Sequence, residues 1–172
     1  MRRLIALSPL LAALGCQTPK RVHVTAIDDE EGALHSVVQV SDPKTAIQLV
    51  RGFHEIEGGT WRWTKGKFSV TLRPPLNAAK DGAWLVLRFV LPESVSSRVG
   101  GVRLSAQTNG VTLAPEAYEK NGEYMYRREV PASALQGEAV TFDFSCDKFL
   151  AAGQVESREL ALIVHLIGLE AK

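Results

Sequence analysis

The sequence predicts an all-β protein, an antiparallel β-sandwich of jelly-roll type with one or two short helical turns. Three observations lead to this prediction. Short runs rich in β-branched and aromatic residues follow one another along the chain. Asn-Gly pairs at 109–110 and 121–122 stand between such runs, and Asn-Gly is the strongest local signal for a hairpin. No apolar pattern of helical period is long enough for an extended helix.

The individual elements follow in chain order. Ser41 or Asp42 followed by Pro43 is typical of a helix N-terminus, so we expect a short helical turn there. Strands dominate the rest of the chain. The clearest are "KFSVTLRP", "AWLVLRFVLP", "VRLSAQT", "EYMYRREVP", "AVTFDFSC" and "ELALIVHLIGLE". The last run is apolar on both faces, which predicts a central strand that is covered on each side.

The first residues have the features of a secretory signal. Arg2 and Arg3 precede an apolar run at 4–14, which is shorter than the roughly 20 residues that a membrane-spanning helix needs. The run leads into "ALGC", which is similar to the lipoprotein box of bacteria. We therefore predict a lipoprotein signal peptide at residues 1–15 and a lipid on Cys16. An ordinary signal peptide cleaved nearby is the alternative.

This prediction sets the domain organisation and the location. Residues 16–35 mix charged and small residues, as a flexible tether does, and residues 36–172 are expected to form a single β-sandwich domain. The protein is expected to be exported and attached by its lipid to the membrane of the cell envelope. Gln17 follows the lipidated cysteine in place of the aspartate that retains some lipoproteins at the inner membrane, which favours the outer membrane.

The chain has two cysteines, Cys16 and Cys146. If Cys16 carries the lipid, no internal disulfide is possible. Cys146 shares one apolar strand face with Val140, Phe142 and Phe144, so we predict that its thiol is buried.

Charge and motifs argue against several classes of function. The formal net charge is +1 and the lysines and arginines are scattered, so no nucleic-acid partner is expected. The four histidines have no metal-ligand spacing, and His165, inside an apolar strand, is predicted to be a core residue. No nucleophile elbow, paired-histidine motif or phosphate-binding glycine loop is present. We therefore predict a non-catalytic protein without a cofactor or metal.

Two tryptophans stand one residue apart in "GFHEIEGGTWRWTKGKFSVTLRPP", residues 52–75. A two-residue turn at Gly58-Gly59 predicts three cross-strand pairs: Ile56 with Trp61, Glu55 with Arg62, and His54 with Trp63. Directly opposed residues share a sheet face, so Glu55 and Arg62 would form an ion pair on the side away from the indoles.

A second two-residue turn, at Lys65-Gly66, supports the same division of faces. It predicts two further pairs: Trp63 with Phe68, and Trp61 with Val70. Both indoles are then expected in the core, with an exposed stacking platform as the alternative. On this register Trp63→Ala costs about 3–5 kcal/mol, whereas Arg62→Ala costs under about 1 kcal/mol.

The segment "YMYRR" alternates in the same way. It places Tyr124, Tyr126 and Arg128 on one strand face, with Met125 and Arg127 on the other. A tyrosine pair beside an arginine can stack on a sugar ring and hydrogen-bond its hydroxyls. A half-buried strand with amphipathic tyrosines is the alternative interpretation.

Four segments carry a resemblance to known proteins. Together "GFHEIEGGTWRWT", "TNGVTL", "YRREVPASALQGEAVTFDF" and "ESRELALIVHLIGLE" resemble a family of uncharacterised bacterial exported proteins, from about residue 43 to the end. More loosely, the chain is similar to jelly-roll, carbohydrate-binding-like modules found beside some bacterial glycosyltransferases. The residues shared with those modules are Gly52, Phe53, Glu55, Arg62, Trp63, Asn109, Gly110 and Arg158. Ala161 stands where the modules usually have a glycine.

These observations lead to one functional expectation and two alternatives. A lipid-anchored envelope protein is expected to bind a glycan through the polar strand face at Glu55 and Arg62, or through the Tyr124–Tyr126 strip. Arg158 joins the predicted site because the resemblance includes it. A scaffolding lipoprotein that contacts envelope proteins through its sheet surface is the first alternative. A small glycan hydrolase, with two carboxylates facing each other in a cleft, is the second.

Overall fold

The computed structural model describes residues 32–172, so the predicted signal peptide, Cys16 and most of the predicted tether lie outside the described residues. The strands within that range are β1 (Val37–Gln39), β2 (Leu49–Glu57), β3 (Trp61–Leu72), β4 (Ala83–Leu91), β5 (Val102–Thr108), β6 (Val111–Tyr118), β7 (Gly122–Val130), β8 (Val140–Cys146) and β9 (Ile163–Ala171). The helical segments are a 3₁₀ turn (Pro43–Gln48), α1 (Ala78–Asp81), α2 (Glu93–Val99) and a 3₁₀ turn (Ala132–Ala134). These are more helical turns than the one or two predicted.

The strands form one antiparallel sheet that folds over into two layers, so the predicted β-sandwich is confirmed. The first layer, called the first sheet, runs β7-β4-β9, with β1 and the start of β3 beside β9. The second sheet runs β6-β5-β8 and continues into the rest of β3, with β2 on the far side of β3. β3 therefore belongs to both layers. β9 is central in the first sheet, as its apolar sequence predicts, but it is covered on one face only, because Ile163 and His165 on its other face are partly exposed.

Aromatic side chains fill the space between the two sheets. Phe89 of β4 packs edge-to-face on Tyr118 of β6, with ring centroids 5.0 Å apart. Phe68 of β3 stacks on Phe144 of β8 at 4.8 Å. The edges of the two sheets also meet, because the hydroxyl of Tyr126 in β7 donates to a carbonyl of β6 at 3.0 Å. The result is a continuous core that holds both layers together.

Two local predictions are confirmed by the backbone. Asp42 is the helix cap, since its Oδ1 accepts a hydrogen bond from the N–H of Lys44 at 2.9 Å. The Asn109-Gly110 pair forms the tight hairpin between β5 and β6, with positive φ at both positions, 44° and 78°. Both positions lie in the left-handed region that this type of turn needs.

The Asn121-Gly122 pair does not form a hairpin between paired strands. β6 pairs with β5 and β7 pairs with β4, so the short connection from β6 to β7 crosses from the second sheet to the first. The local turn signal is the same in both cases. Which strand becomes the neighbour is decided by packing of the two layers.

The predicted turn at Lys65-Gly66 is wrong, because β3 runs without interruption through it. The first residues of β3 pair with β9 and the later ones with β8, so this point is the corner at which the strand changes sheets. A Cβ on Gly66 would lie 2.2 Å from the ring of Phe149. Glycine is therefore needed here for a close approach by a distant residue.

The hairpin between β2 and β3 is shifted by one residue from the prediction. Its loop has three residues, Gly58, Gly59 and Thr60, because Glu57 pairs with Trp61. Ile56 then lies opposite Arg62 in place of Glu55. A shift by one residue exchanges the faces in a strand, and the consequences for the tryptophans are described below.

Cys146 is buried, as predicted, with 4% of its surface exposed. Burial, with a smaller contribution from the charge of Asp147, raises the pKa of the Cys146 thiol to about 12. We expect this thiol to resist maleimide at about pH 8 in the folded protein and to react once guanidinium unfolds it, because the thiolate is the reactive form. Peptide mass spectrometry of the labelled protein identifies the residue, and rapid labelling of Cys146 before unfolding would contradict its burial.

Candidate functional site

The two tryptophans of β3 lie on the outer surface of the first sheet. Side chains alternate along a strand, and Phe68 faces the core, so Arg62 is on the core-facing side and Trp61 and Trp63 are not. Trp63 also pairs with Ile163, which is only partly buried. The prediction that both indoles are core residues is wrong, because it depended on a turn at Lys65-Gly66 that would have reversed the alternation.

Both indoles are half-buried and rest on neighbouring parts of the sheet. The ring of Trp61 covers Gly58, where a Cβ would come within 2.4 Å of it, and lies edge-on to His165 with centroids 6.5 Å apart. Trp63 packs against the edge of the core. These contacts hold the rings in place while each keeps some of its surface open to solvent.

The third tryptophan lies on the same surface. Trp84 of β4 pairs with Glu129 and Glu170, and the guanidinium of Arg127 lies over its ring, 3.8 Å from the centroid. Val90 of β4 and Trp63 of β3 both pair with Ile163 of β9, so they lie in one row across the sheet. Trp84 is six residues before Val90 along β4, which places it about 20 Å from that row. We call this outer surface of the first sheet the tryptophan face.

A groove of about 520 Å³ is formed by β4, β7 and His165 of β9, and Trp61 lies edge-on to His165. Its size is within the range of small-molecule sites. The residues that line it are Arg88, Phe89, Val90, Glu123, Tyr124, Met125 and His165. It therefore offers a cation, a carboxylate, an imidazole and the thioether of Met125, whose surface is 49% exposed. Such a mixture can bind a ligand with both apolar faces and hydroxyl groups.

Glu55 and Arg62 lie apart from this groove. The carboxylate of Glu55 is 3.9 Å from the guanidinium of Arg62, so the predicted ion pair is present, but at the limit of contact. Arg62 is 16% exposed and donates to two carbonyl oxygens, those of Val40 at 2.8 Å and His54 at 3.0 Å. Two of its N–H donors are therefore committed to the backbone, while the side chain of Glu55 is fully exposed.

Tyr124 and Tyr126 lie on one face of β7, as the alternation predicted, and this is the inner face. Tyr126 is fully buried, and burial raises the pKa of its hydroxyl to about 12. It has no exposed ring with which to stack on a sugar, so the predicted Tyr124–Tyr126 strip does not form a platform. Tyr124 is half-buried, donates to the carbonyl of Lys120 at 2.9 Å and contributes to the wall of the groove.

Arg158 joins a loop to the β2–β3 hairpin. Its guanidinium bonds to Glu57 at 2.6 Å and to Glu156, and the hydrogen bond from Arg158 holds the pKa of Glu156 below its usual value. Glu57 lies opposite Trp61, so this ion pair is at the margin of the tryptophan face. Through these two ion pairs Arg158 holds the loop before β9 against the β2–β3 hairpin.

Some residues of the groove were missed from the sequence, and one was assigned to the wrong place. His165, predicted to lie in the core, lines the groove at a register shift between β4 and β9. Arg88, Glu123 and Met125 carried no motif. Alternation within β4 and β7 could have placed them on an outer face, but only the strand order brings them beside the tryptophans.

The described part of the chain holds neither a group of metal-binding side chains nor a membrane-spanning helix. Among residues 32–172 there is no cluster of three or more histidine, cysteine, aspartate or glutamate side chains that could hold a metal ion. No helix in that part of the chain is long and apolar enough to cross a membrane.

Comparison with known proteins finds only distant structural likeness. No protein-family model matches the chain, and no curated protein does. One solved structure with a similar fold is dimeric latent PorU from Porphyromonas gingivalis, with 13% identity and a TM-score of 0.44 over 60% of this chain, which spans only 10% of PorU. Another is TmCBM27, a carbohydrate-binding module with specific mannan recognition, with 11% identity and a TM-score of 0.47 over 81% of this chain and 98% of the module.

Proposed function

We propose that this protein is a lipid-anchored, non-catalytic protein of the bacterial envelope that binds a glycan on its tryptophan face. One observation carries the glycan proposal: all three tryptophans of the chain lie on the outer surface of one sheet, and one of them, Trp61, contacts His165, which lines a groove with charged walls. The anchor is supported by the sequence around Cys16.

The chemistry of the groove matches that of a sugar. The faces of a sugar ring are partly apolar and its rim carries hydroxyl groups, so a ring can stack on an indole while its hydroxyls hydrogen-bond to charged side chains. Trp61 supplies the indole, and Arg88, Glu123 and His165 supply donors and acceptors. The exposed remainder of each indole is apolar surface that such a ligand would cover.

The layout of the tryptophan face favours a chain of sugars over a single one. Trp84 lies about 20 Å from the row of Trp63 on the same surface. This distance corresponds to several sugar rings. A chain could therefore contact the β3 tryptophans at one end and, at the other, the pair formed by Trp84 and the guanidinium of Arg127 over its ring.

We propose binding in preference to cleavage. Glycoside hydrolysis by the common mechanism uses two carboxylates that flank the scissile bond. The carboxylate that lines the groove is Glu123, and Glu57 at the margin is held by Arg158 at 2.6 Å. The groove thus supports recognition of a glycan, with Glu123 as a hydrogen-bond acceptor.

The proposal predicts which substitutions weaken glycan binding. Trp61→Ala and Arg88→Ala should each reduce affinity about tenfold or more, since stacked aromatic and arginine contacts commonly dominate an interface. Binding is measured by calorimetry and by tryptophan fluorescence, with soluble peptidoglycan fragments and neutral gluco- and manno-oligosaccharides as probes. Matched controls are Leu76→Ala, which removes an exposed apolar side chain elsewhere, and Arg98→Ala on α2; both should stay within about twofold.

Two results would contradict the proposal. The first is the absence of binding to every saccharide probe. The second is binding that Trp61→Ala and Arg88→Ala leave unchanged, because the ligand would then lie elsewhere on the protein.

Contact with an envelope protein is the second candidate function. Tryptophan, methionine and arginine are enriched in protein interfaces, and the tryptophan face presents all three, including Met125 with half its surface exposed. Loss of a co-purifying envelope protein in Met125→Ala, together with no saccharide binding by the wild type, would favour this function.

A further inference from the structure

The outer surface of the second sheet carries a separate groove of about 370 Å³ with polar side chains. The strand registers place its members in two rows. One row runs from Arg51 through Ser69 and Asp143 to Gln107, and the other from Lys67 through Ser145 to Ser105. We call this surface the polar face. It lies on the opposite side of the sandwich from the tryptophan face.

Arg51 is held in position by its neighbours on the polar face. Its Nε donates to Ser69 Oγ at 2.8 Å, and one Nη donates to Asp143 Oδ1 at 2.7 Å. Ser69 is buried and itself donates to Asp143. The Arg51 side chain is nonetheless 63% exposed, and within residues 32–172 its other N–H groups have no acceptor. Arg51 is therefore a donor that is already oriented before any ligand arrives.

The charges of the groove are not balanced. Hydrogen bonds from Ser69 and Arg51 lower the pKa of Asp143, so this carboxylate is ionised and neutralises Arg51. Lys67, two residues before Ser69 on the same face of β3, adds a second cation. No ion pair of Lys67 is formed within the described part of the chain. The groove thus has two cations and one carboxylate, which favours an anionic ligand.

We propose that the polar face binds a saccharide that bears carboxylate groups. A carboxylate can accept hydrogen bonds from Arg51 and Lys67, while Ser105, Gln107 and Ser145 can exchange hydrogen bonds with sugar hydroxyls. A saccharide fits better than an acidic peptide, because the exposed side chains here are hydroxyls, an amide and charges. The proposal goes beyond glycan binding by the tryptophan face and does not depend on it.

The test compares two forms of one sugar chain. Calorimetry at low ionic strength measures binding of oligogalacturonate and of its full methyl ester, in which each carboxylate is replaced by an uncharged ester. The methyl ester should bind at least about tenfold more weakly than the acid form. Added salt should weaken the binding of the acid form. Lys67→Gln should weaken the affinity for the acid form about three- to tenfold. Lys65 is a neighbouring exposed lysine outside the groove lining, so Lys65→Gln should leave this affinity within about twofold of the wild type.

Several results would overturn the proposal. They are no measurable binding of oligogalacturonate, equal binding of its methyl ester, and no effect of Lys67→Gln. Equal binding of an oligoglutamate peptide, or full competition by inorganic phosphate at the same concentration, would replace the saccharide by an acidic peptide or a simple anion. Trp61→Ala should lose the binding of neutral sugars and Lys67→Gln should keep it. The polar face and the tryptophan face are therefore tested separately.

Discussion

Gly52→Ala is expected to lower the free energy of unfolding by about 4 kcal/mol or more. Gly52 lies in β2 with φ at +78°, opposite the corner of β3. A Cβ there would be 2.2 Å from the carbonyl oxygen of Lys67 and 2.7 Å from Cα of Phe68. Both are backbone atoms of a paired strand, so neither can move aside without breaking the β3–β8 ladder.

Gly59→Ala is the matched control for this prediction. Gly59 also has a positive φ, 68°, but a Cβ there meets nothing within 4 Å. Its cost should be limited to the strain of the left-handed conformation, roughly 1–2 kcal/mol. Urea denaturation of both variants measures the difference. Equal losses for the two would show that the backbone of β3 does not press on Gly52.

Arg62→Ala is expected to cost about 2–4 kcal/mol, which reverses the small loss predicted from the sequence. The substitution removes two hydrogen bonds and leaves the carbonyl oxygens of Val40 and His54 without their donor. Val40 is fully buried, so water cannot easily replace the guanidinium there. Arg62→Lys should recover only part of the loss, because an ammonium group lacks the fork that reaches both oxygens.

Glu55→Ala is the control for Arg62, since it removes the carboxylate partner and leaves the carbonyl contacts. Its side chain is fully exposed and lies 3.9 Å from Arg62, so the free energy of unfolding should change by less than about 0.5 kcal/mol. Similar small losses for Glu55→Ala and Arg62→Ala in urea denaturation would show that Arg62 contributes only as a partner in a surface ion pair.

Patterns within a single strand were readable from the sequence. Alternation in "VTFDFSC" placed Val140, Phe142, Phe144 and Cys146 on one face, and all four are buried. The Asn109-Gly110 hairpin was also readable, because both of its turn residues adopt the left-handed conformation that few other residues tolerate. Each of these features depends on residues that are close in sequence.

Partners across strands were not readable in the same way. The Lys-Gly pair at 65–66 looks like a turn, but the glycine is there because Phe149, more than eighty residues later, packs where a Cβ would be. Asn121-Gly122 carries the same local signal as Asn109-Gly110 and yet joins two different sheets. A turn signal states where the chain can bend, and the layer packing decides where it goes.

The error at Lys65-Gly66 had the largest consequence for the site. One false turn reversed the alternation of β3 and placed the indoles inside and Arg62 outside. The tryptophans could be recognised as the important residues from the sequence, as could Arg62. The sequence assigned them to the wrong faces: Arg62 is on the inner face and bonds to backbone carbonyls, whereas the tryptophans face outward.

The sequence by itself determined that this is a chain of short strands with an apolar central strand, a buried thiol and a helix cap at residue 41 or 42. These follow from the periods and conformational limits of neighbouring residues. Only the tertiary structure decided that β3 crosses between two sheets, that all three tryptophans share one surface with His165 and Arg88, and that Arg51, Lys67 and Asp143 share the other. The physical reason is that a surface is assembled from strands far apart in the chain, and their order is chosen by the burial of the whole core.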